Sequence, residues 1–172
     1  DILTLTEVGE KDDMKVLINE LKKIGVNYEY WEVCDCKDNF TKQHVAILSK
    51  YPLKEVMYEI KGRSIYLEEK DGDTEGETGI SKGLKATVIV NEKEIDVFVM
   101  HFKSERGGFD SDAKRLAQAT IARRSIIPLL NTGRNVVVTG DLNSEKKSES
   151  IHRIRGFDDI YEELIQTGNS NY

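Results

Sequence analysis

The segment Val136-Val137-Val138-Thr139-Gly140-Asp141-Leu142-Asn143 sets a carboxylate and an amide two residues apart, directly after an apolar β-branched run. Such a run reads as a buried strand, and the glycine with its polar followers reads as the strand's end. Strand ends are where open α/β sheets build their sites. A carboxylate can activate water or hold a hard metal ion, and an amide can orient a phosphoryl oxygen. In an extended segment alternate residues share a face, so Asp141 and Asn143 are expected to project the same way. Both types are also favoured helix N-caps, which is the plainer reading of the pair.

Two more strand ends offer related chemistry. Ile2-Leu3-Thr4-Leu5-Thr6-Glu7-Val8 alternates apolar and polar side chains and carries Glu7 where it runs out. Ile95-Asp96-Val97-Phe98-Val99-Met100-His101-Phe102-Lys103-Ser104 ends in a histidine, with a lysine and a serine beyond it. Taken singly, a glutamate there is an ordinary surface charge, and a histidine there is more often a satisfied core residue. If an acid, a histidine and an Asp-x-Asn pair meet, they make a one-metal phosphoryl-transfer site.

Further segments give these strand ends a context. In chain order they are Leu3 to Val8, Ala46-Ile47-Leu48-Ser49-Lys50-Tyr51-Pro52, Gly83-Leu84-Lys85-Ala86-Thr87-Val88, Met100-His101-Phe102-Lys103-Ser104, Arg115-Leu116-Ala117-Gln118-Ala119 and Gly140-Asp141-Leu142-Asn143. In that order the chain resembles the magnesium-dependent endonuclease/exonuclease/phosphatase superfamily, which includes pancreatic DNase, apurinic endonucleases, neutral sphingomyelinases and inositol-polyphosphate phosphatases. The His-Phe-Lys-Ser-x-x-Gly-Gly wording looks most like bacterial and archaeal nuclease-type members.

The resemblance implies an α/β fold, a four-layer α/β/β/α sandwich with two mixed, mainly antiparallel sheets. It makes Glu7 the ligand of Mg²⁺, with Mn²⁺ as a substitute. It gives His101 contact with the scissile phosphate and protonation of the leaving oxygen. Asp141 orients or deprotonates the attacking water, and Asn143 hydrogen-bonds the phosphate or the metal's water shell. Lys82, Lys103 and Arg106 become candidate phosphate contacts, against a default of solvated surface charge, and Lys85 belongs to the same basic group. Arg115 and Gln118 read as structural. His44 and His152 lack a site context, and His152 is expected on a solvated helix face. The implied function is Mg²⁺-dependent phosphodiester hydrolysis, as a nuclease acting on DNA. The same chemistry on a sphingolipid or inositol phosphate is a second reading, and a non-catalytic domain that binds a partner is a third.

The chain departs from the family at both ends. It starts at Asp1, in the glutamate strand, without the preceding asparagine strand. No Asp-His dipeptide follows Asn143, and the only later histidine is His152. The expectation is one domain over 1–172, truncated at both ends, with weak or no activity by itself.

Composition agrees with a single domain. A chain of 172 residues, 38% hydrophobic and 33% charged, is long enough to bury a core. No apolar run approaches the ~20 residues of a membrane span. The formal charge of −6 argues against a broad basic face for DNA, although a basic patch can sit on an acidic protein. Cys34 and Cys36 lack the Cys-x-x-Cys spacing and second pair of a zinc knuckle, and read as ordinary loop thiols, the alternative being a local disulfide of unusual geometry. Compartment and oligomeric state are not legible.

Periodicity predicts strands over 2–7, 27–33, 43–49, 54–60, 63–70, 83–91, 94–101 and 134–140. It predicts helices over 11–24, 111–131, 147–155 and 158–166. Asn91-Glu92-Lys93 reads as a hairpin turn. Asp71 to Gly79, acidic and glycine-rich, reads as an exposed loop rather than a calcium loop.

Overall fold

The computed structural model describes residues 1–36, 41–68, 74–106, 109–157 and 164. They fall into two compact units. The first comprises residues 1–60, 81–101 and 134–140, the second 61–80, 102–133 and 141–172.

In the first unit, β1 (Ile2–Val8), β2 (Tyr30–Val33) and β3 (His44–Ser49) form an antiparallel sheet in the order β1-β3-β2. Every residue of β3 is buried, as expected of a central strand covered on both faces. Its side chains alternate between two cores. Ala46 and Leu48 join Met14 of helix α1 (Lys11–Lys23), with Leu3, Leu5, Ile18, Leu21 and Trp31 around them. Val45 and Ile47 face the other way, toward the second sheet.

Helix α1 begins where Asp13 accepts the Glu10 backbone N–H at 2.9 Å. Asp12 and Asp13 in its first turn and Lys22 and Lys23 in its last complement the helix dipole.

The second sheet contains β4 (Leu53–Met57), β7 (Lys82–Val90), β8 (Lys93–His101) and β9 (Asn135–Asp141), in the order β4-β7-β8-β9. Leu84, Ala86 and Val88 of β7 and Val97 and Val99 of β8 pack on Val45 and Ile47, closing the sandwich. The hairpin β7–β8 turns through Asn91 and Glu92, both at positive φ (49° and 65°), between the paired Val90 and Lys93. Two positive φ values mark the tight turn whose twist suits a hairpin. Gly140, at φ 114°, lies against β8, and a Cβ there would collide with the Met100 carbonyl oxygen.

The second unit contains the hairpin of β5 (Ile60–Glu68) and β6 (Thr74–Ile80), with helices α2 (Phe109–Asn131) and α3 (Glu149–Arg155). Ile60 itself belongs to the first unit. Strand β6 and helix α3 both pack on α2. Ser148 caps α3 by accepting the Ile151 N–H, and Gly156 ends it in the left-handed region.

The strand over 74–80 corrects the expected loop. Its sequence, Thr-Glu-Gly-Glu-Thr-Gly-Ile, lacks a strand's apolar alternation. It pairs as a hairpin arm because Gly76 leaves room for the Tyr66 ring, which a Cβ would strike. Residues 71–73 of that expected loop lie outside the described residues, as does the helix expected over 158–166, Leu164 excepted.

Candidate active site

Glu7 stands at an irregularity. The register of β1 on β3 shifts between Leu5 and Val8, and Glu7 has φ 57°. A bulge re-aims a side chain out of the alternating pattern. A glutamate in the left-handed region is uncommon, and such strain concentrates where function requires it. The Glu7 carboxylate reaches to 4.0 Å from His101 Nε2. Its side chain is 56% exposed, whereas that of His101 is only 7% exposed. His101 ends β8 and pairs with Lys82 across the hairpin.

In the second unit, Asp141 and Asn143 form a local turn. The Asn143 N–H donates to Asp141 Oδ1 at 2.8 Å, and Asn143 has φ 48°. Asp141 is thereby an Asx-turn acceptor. Its carbonyl accepts the Phe102 N–H at 2.9 Å, and the Asn143 side-chain amide donates to the Phe102 carbonyl at 3.1 Å. The expectation of an extended Asp-x-Asn segment is corrected, because Asn143 leaves extended geometry immediately after the strand. Helix capping is also excluded for the pair, since Ser148 caps the next helix.

The basic candidates divide. Lys82 donates to Thr41 Oγ1 at 2.9 Å and to Gln43 Oε1 at 3.4 Å. Lys103 and Arg106 are exposed, and the Lys103 ammonium contacts Ser104 Oγ and the Arg106 carbonyl. Lys85 does not belong with them. It is buried, pairing with Asp96 at 2.7 Å and Glu55 at 3.3 Å. Three residues along a strand change the face, so Lys82 and Lys85 point apart.

Arg115 and Gln118 are structural, as expected. Arg115 donates to the Lys103 carbonyl, while Gln118 accepts the Lys103 N–H and donates to the Gly79 carbonyl. His44 is buried, its Nδ1 accepting the Cys36 N–H. His152 is not on a solvated face. It is half-buried, with its ring edge-on to Phe157 at 5.0 Å.

The sequence reading missed a charged cluster in the first unit. Asp96, fully buried, receives hydrogen bonds from Thr87 (2.7 Å) and from Arg134 through Nε (2.7 Å) and Nη2 (2.9 Å). Burial pushes its carboxyl upward, but the bonds from Arg134, Lys85 and Thr87 outweigh this and hold it below the ordinary value. The available signal was an aspartate inside an apolar strand, which demands buried partners.

The sequence model of the Endonuclease/Exonuclease/phosphatase family matches residues 1–167. The chain belongs to this family. No curated protein matches it. Among solved structures, a hairpin-deletion mutant of β toxin from Staphylococcus aureus superposes with TM-score 0.60 at 18% identity, covering 90% of this chain and 59% of that one. Sphingomyelinase C from Streptomyces griseocarneus gives 0.56 at 17%, covering 90% and 55%. Truncated TDP2 from Caenorhabditis elegans gives 0.53 at 17%, covering 86% and 51%. The family member thus shares their α/β sandwich fold and spans little more than half the length of each.

A β toxin structure contains bound magnesium ions. The donor chemistry here fits that ion. Mg²⁺ takes one or two carboxylates and keeps several waters, and Glu7 offers a half-exposed carboxylate with room for them. Among the described residues no cluster of three His, Cys, Asp or Glu side chains forms a closed metal cage.

Proposed function

We propose that this family member is a Mg²⁺-dependent phosphodiester hydrolase acting on DNA. The observation that carries the reading is Glu7, turned out of its strand by a bulge at φ 57°, with His101 Nε2 4.0 Å away. Glu7 would hold Mg²⁺, or Mn²⁺ in its place. The bound ion supplies a Lewis acid that offsets charge on the phosphate.

The remaining roles fall to the chain's own groups. Asp141 orients or deprotonates the attacking water. His101 contacts the scissile phosphate and passes a proton to the leaving oxygen. Asn143 uses an amide hydrogen on a phosphoryl oxygen. Its NH₂ has two, and the Phe102 carbonyl takes one. Lys82, Lys103 and Arg106 bind flanking phosphates.

A second reading has support in the likeness to a sphingomyelinase C: the same residues acting on a lipid phosphodiester. No helix among the described residues is long and apolar enough to cross a membrane.

The test offers plasmid DNA and sphingomyelin to protein made from its complete gene, with Mg²⁺ and with EDTA. DNA cleavage that EDTA stops, and that Glu7→Gln and Asp141→Asn each lower by orders of magnitude, supports the reading. Hydrolysis of sphingomyelin with DNA left intact moves the substrate to lipid and retains the site. EDTA-insensitive cleavage rejects the metal assignment.

A further inference from the structure

Helix α2 buries a polar stripe. Ser111, Arg115 and Gln118 recur at spacings of four and three on one face of the helix, and are 2%, 5% and 5% exposed. A helix ordinarily turns an apolar stripe inward. Buried polar groups destabilise the fold unless they are paired, and all three reach the same short segment.

The Lys103 backbone is held on both sides. Its N–H donates to Gln118 Oε1 at 2.9 Å, and its carbonyl accepts from Arg115 Nη1 at 3.2 Å. Gln118 Nε2 donates in turn to the Gly79 carbonyl at 3.0 Å. That second bond fixes which end of the amide faces Lys103. Asp112, one turn before Arg115, pairs with its guanidinium and aims it. The Arg106 carbonyl accepts from Ser111 Oγ at 2.9 Å. At the start of the segment, the Phe102 N–H donates to the Asp141 carbonyl and the Phe102 carbonyl accepts from the Asn143 amide.

The backbone is thus tied down while the side chains of Lys103 and Arg106 stay exposed. Glu105 is exposed between them, so the loop carries two cations against one carboxylate. A loop free to turn would offer a phosphate the carboxylate as readily as a cation. Binding there depends on how the backbone is held.

Resting on the reading that this family member acts on DNA, we propose that Ser111, Arg115 and Gln118 are positioning residues for nucleic-acid binding. They set the backbone of residues 103–106 so that Lys103 and Arg106 meet phosphates flanking the scissile one. An apolar stripe would pack the helix as well but would leave the loop's polar groups unheld. A cation on a loose loop must be ordered at each binding event, and a fixed backbone removes that cost.

The test titrates a short fluorescein-labelled DNA duplex, in Ca²⁺ and at several salt concentrations, with protein made from its complete gene. Lys103→Gln and Arg106→Gln should each weaken binding and reduce the salt slope by about 1. Gln118→Met removes no charge, yet it should weaken binding about tenfold and flatten the slope as well. In the Gln118→Met background, Lys103→Gln should cost little more, because two changes that act through one contact do not add. Ser111→Ala with Arg106→Gln makes the same comparison if Gln118→Met fails to fold. Additive losses would overturn the proposal, as would wild-type affinity in both Gln118→Met and Ser111→Ala. So would duplex binding indifferent to Lys103→Gln and Arg106→Gln, or binding to sphingomyelin vesicles without binding to the duplex. Non-additive losses in a protein that cleaves no DNA uphold the positioning role and reject the hydrolase reading. Additive losses in a protein that cleaves DNA do the reverse.

Discussion

Glu7 combines an unfavourable backbone with an exposed charge, and neither helps the fold. A left-handed conformation costs a non-glycine residue about 1–2 kcal/mol. Glu7→Gly should therefore raise stability by about 1 kcal/mol in urea unfolding while abolishing metal-dependent turnover. A parallel loss of stability would make the bulge structural. Asp96 is the opposite case, buried and fully committed. Asp96→Ala leaves the Lys85 ammonium buried without its main partner, which should cost about 3–5 kcal/mol. Its carboxyl is held below the ordinary value in the fold. The stability it contributes is thus complete above the unfolded carboxylate range and lost as pH falls through the folded value. Urea unfolding from pH 7 into acid should show this loss in the wild type and a shallower one in Asp96→Ala. The strand-end positions of Glu7, His101 and Asp141 were legible because the apolar pattern runs out at each of them. The turn that bends Asn143 was not, since its hydrogen bond to Asp141 is joined by one from the Asn143 amide to the Phe102 carbonyl, about forty residues away in sequence.

Among elements, the central strands were the easiest to read. β3, β7 and β8 bury apolar residues on one or both faces, and the pattern states it. β6 escaped because its residues are polar and glycine-rich, and pairing to β5 rather than periodicity makes it a strand. The β7–β8 turn asks Glu92 for φ 65°, a position that glycine fills without strain. Glu92→Gly should raise the thermal midpoint, and a lowered midpoint would mean that the glutamate has a role of its own. At Gly140 the constraint runs the other way. With φ 114° and Met100 backbone where a Cβ would go, Gly140→Ala should cost at least about 1–3 kcal/mol, read as a lower urea midpoint.

For the whole molecule, the −6 charge bears on how DNA would be held. Three candidate phosphate contacts correspond to a salt slope of about −3 in log K against log salt. Fluorescence titration in Ca²⁺ without turnover should give a slope near that value. A much steeper one would mean that cations beyond Lys82, Lys103 and Arg106 take part.

The two units are interleaved along the chain, since 134–140 completes the first and 61–80 already belongs to the second. A ribosome delivers residues in order, and domains generally fold as they emerge, N-terminal first. Here the first sixty residues must wait for a strand made more than seventy residues later. Nascent chains stalled before Arg134 should yield no protease-resistant core, whereas chains that include all of residues 1–172 should. The order of synthesis is then not the order of folding, and the unfinished chain depends on whatever shields its apolar strands until the last of them arrives.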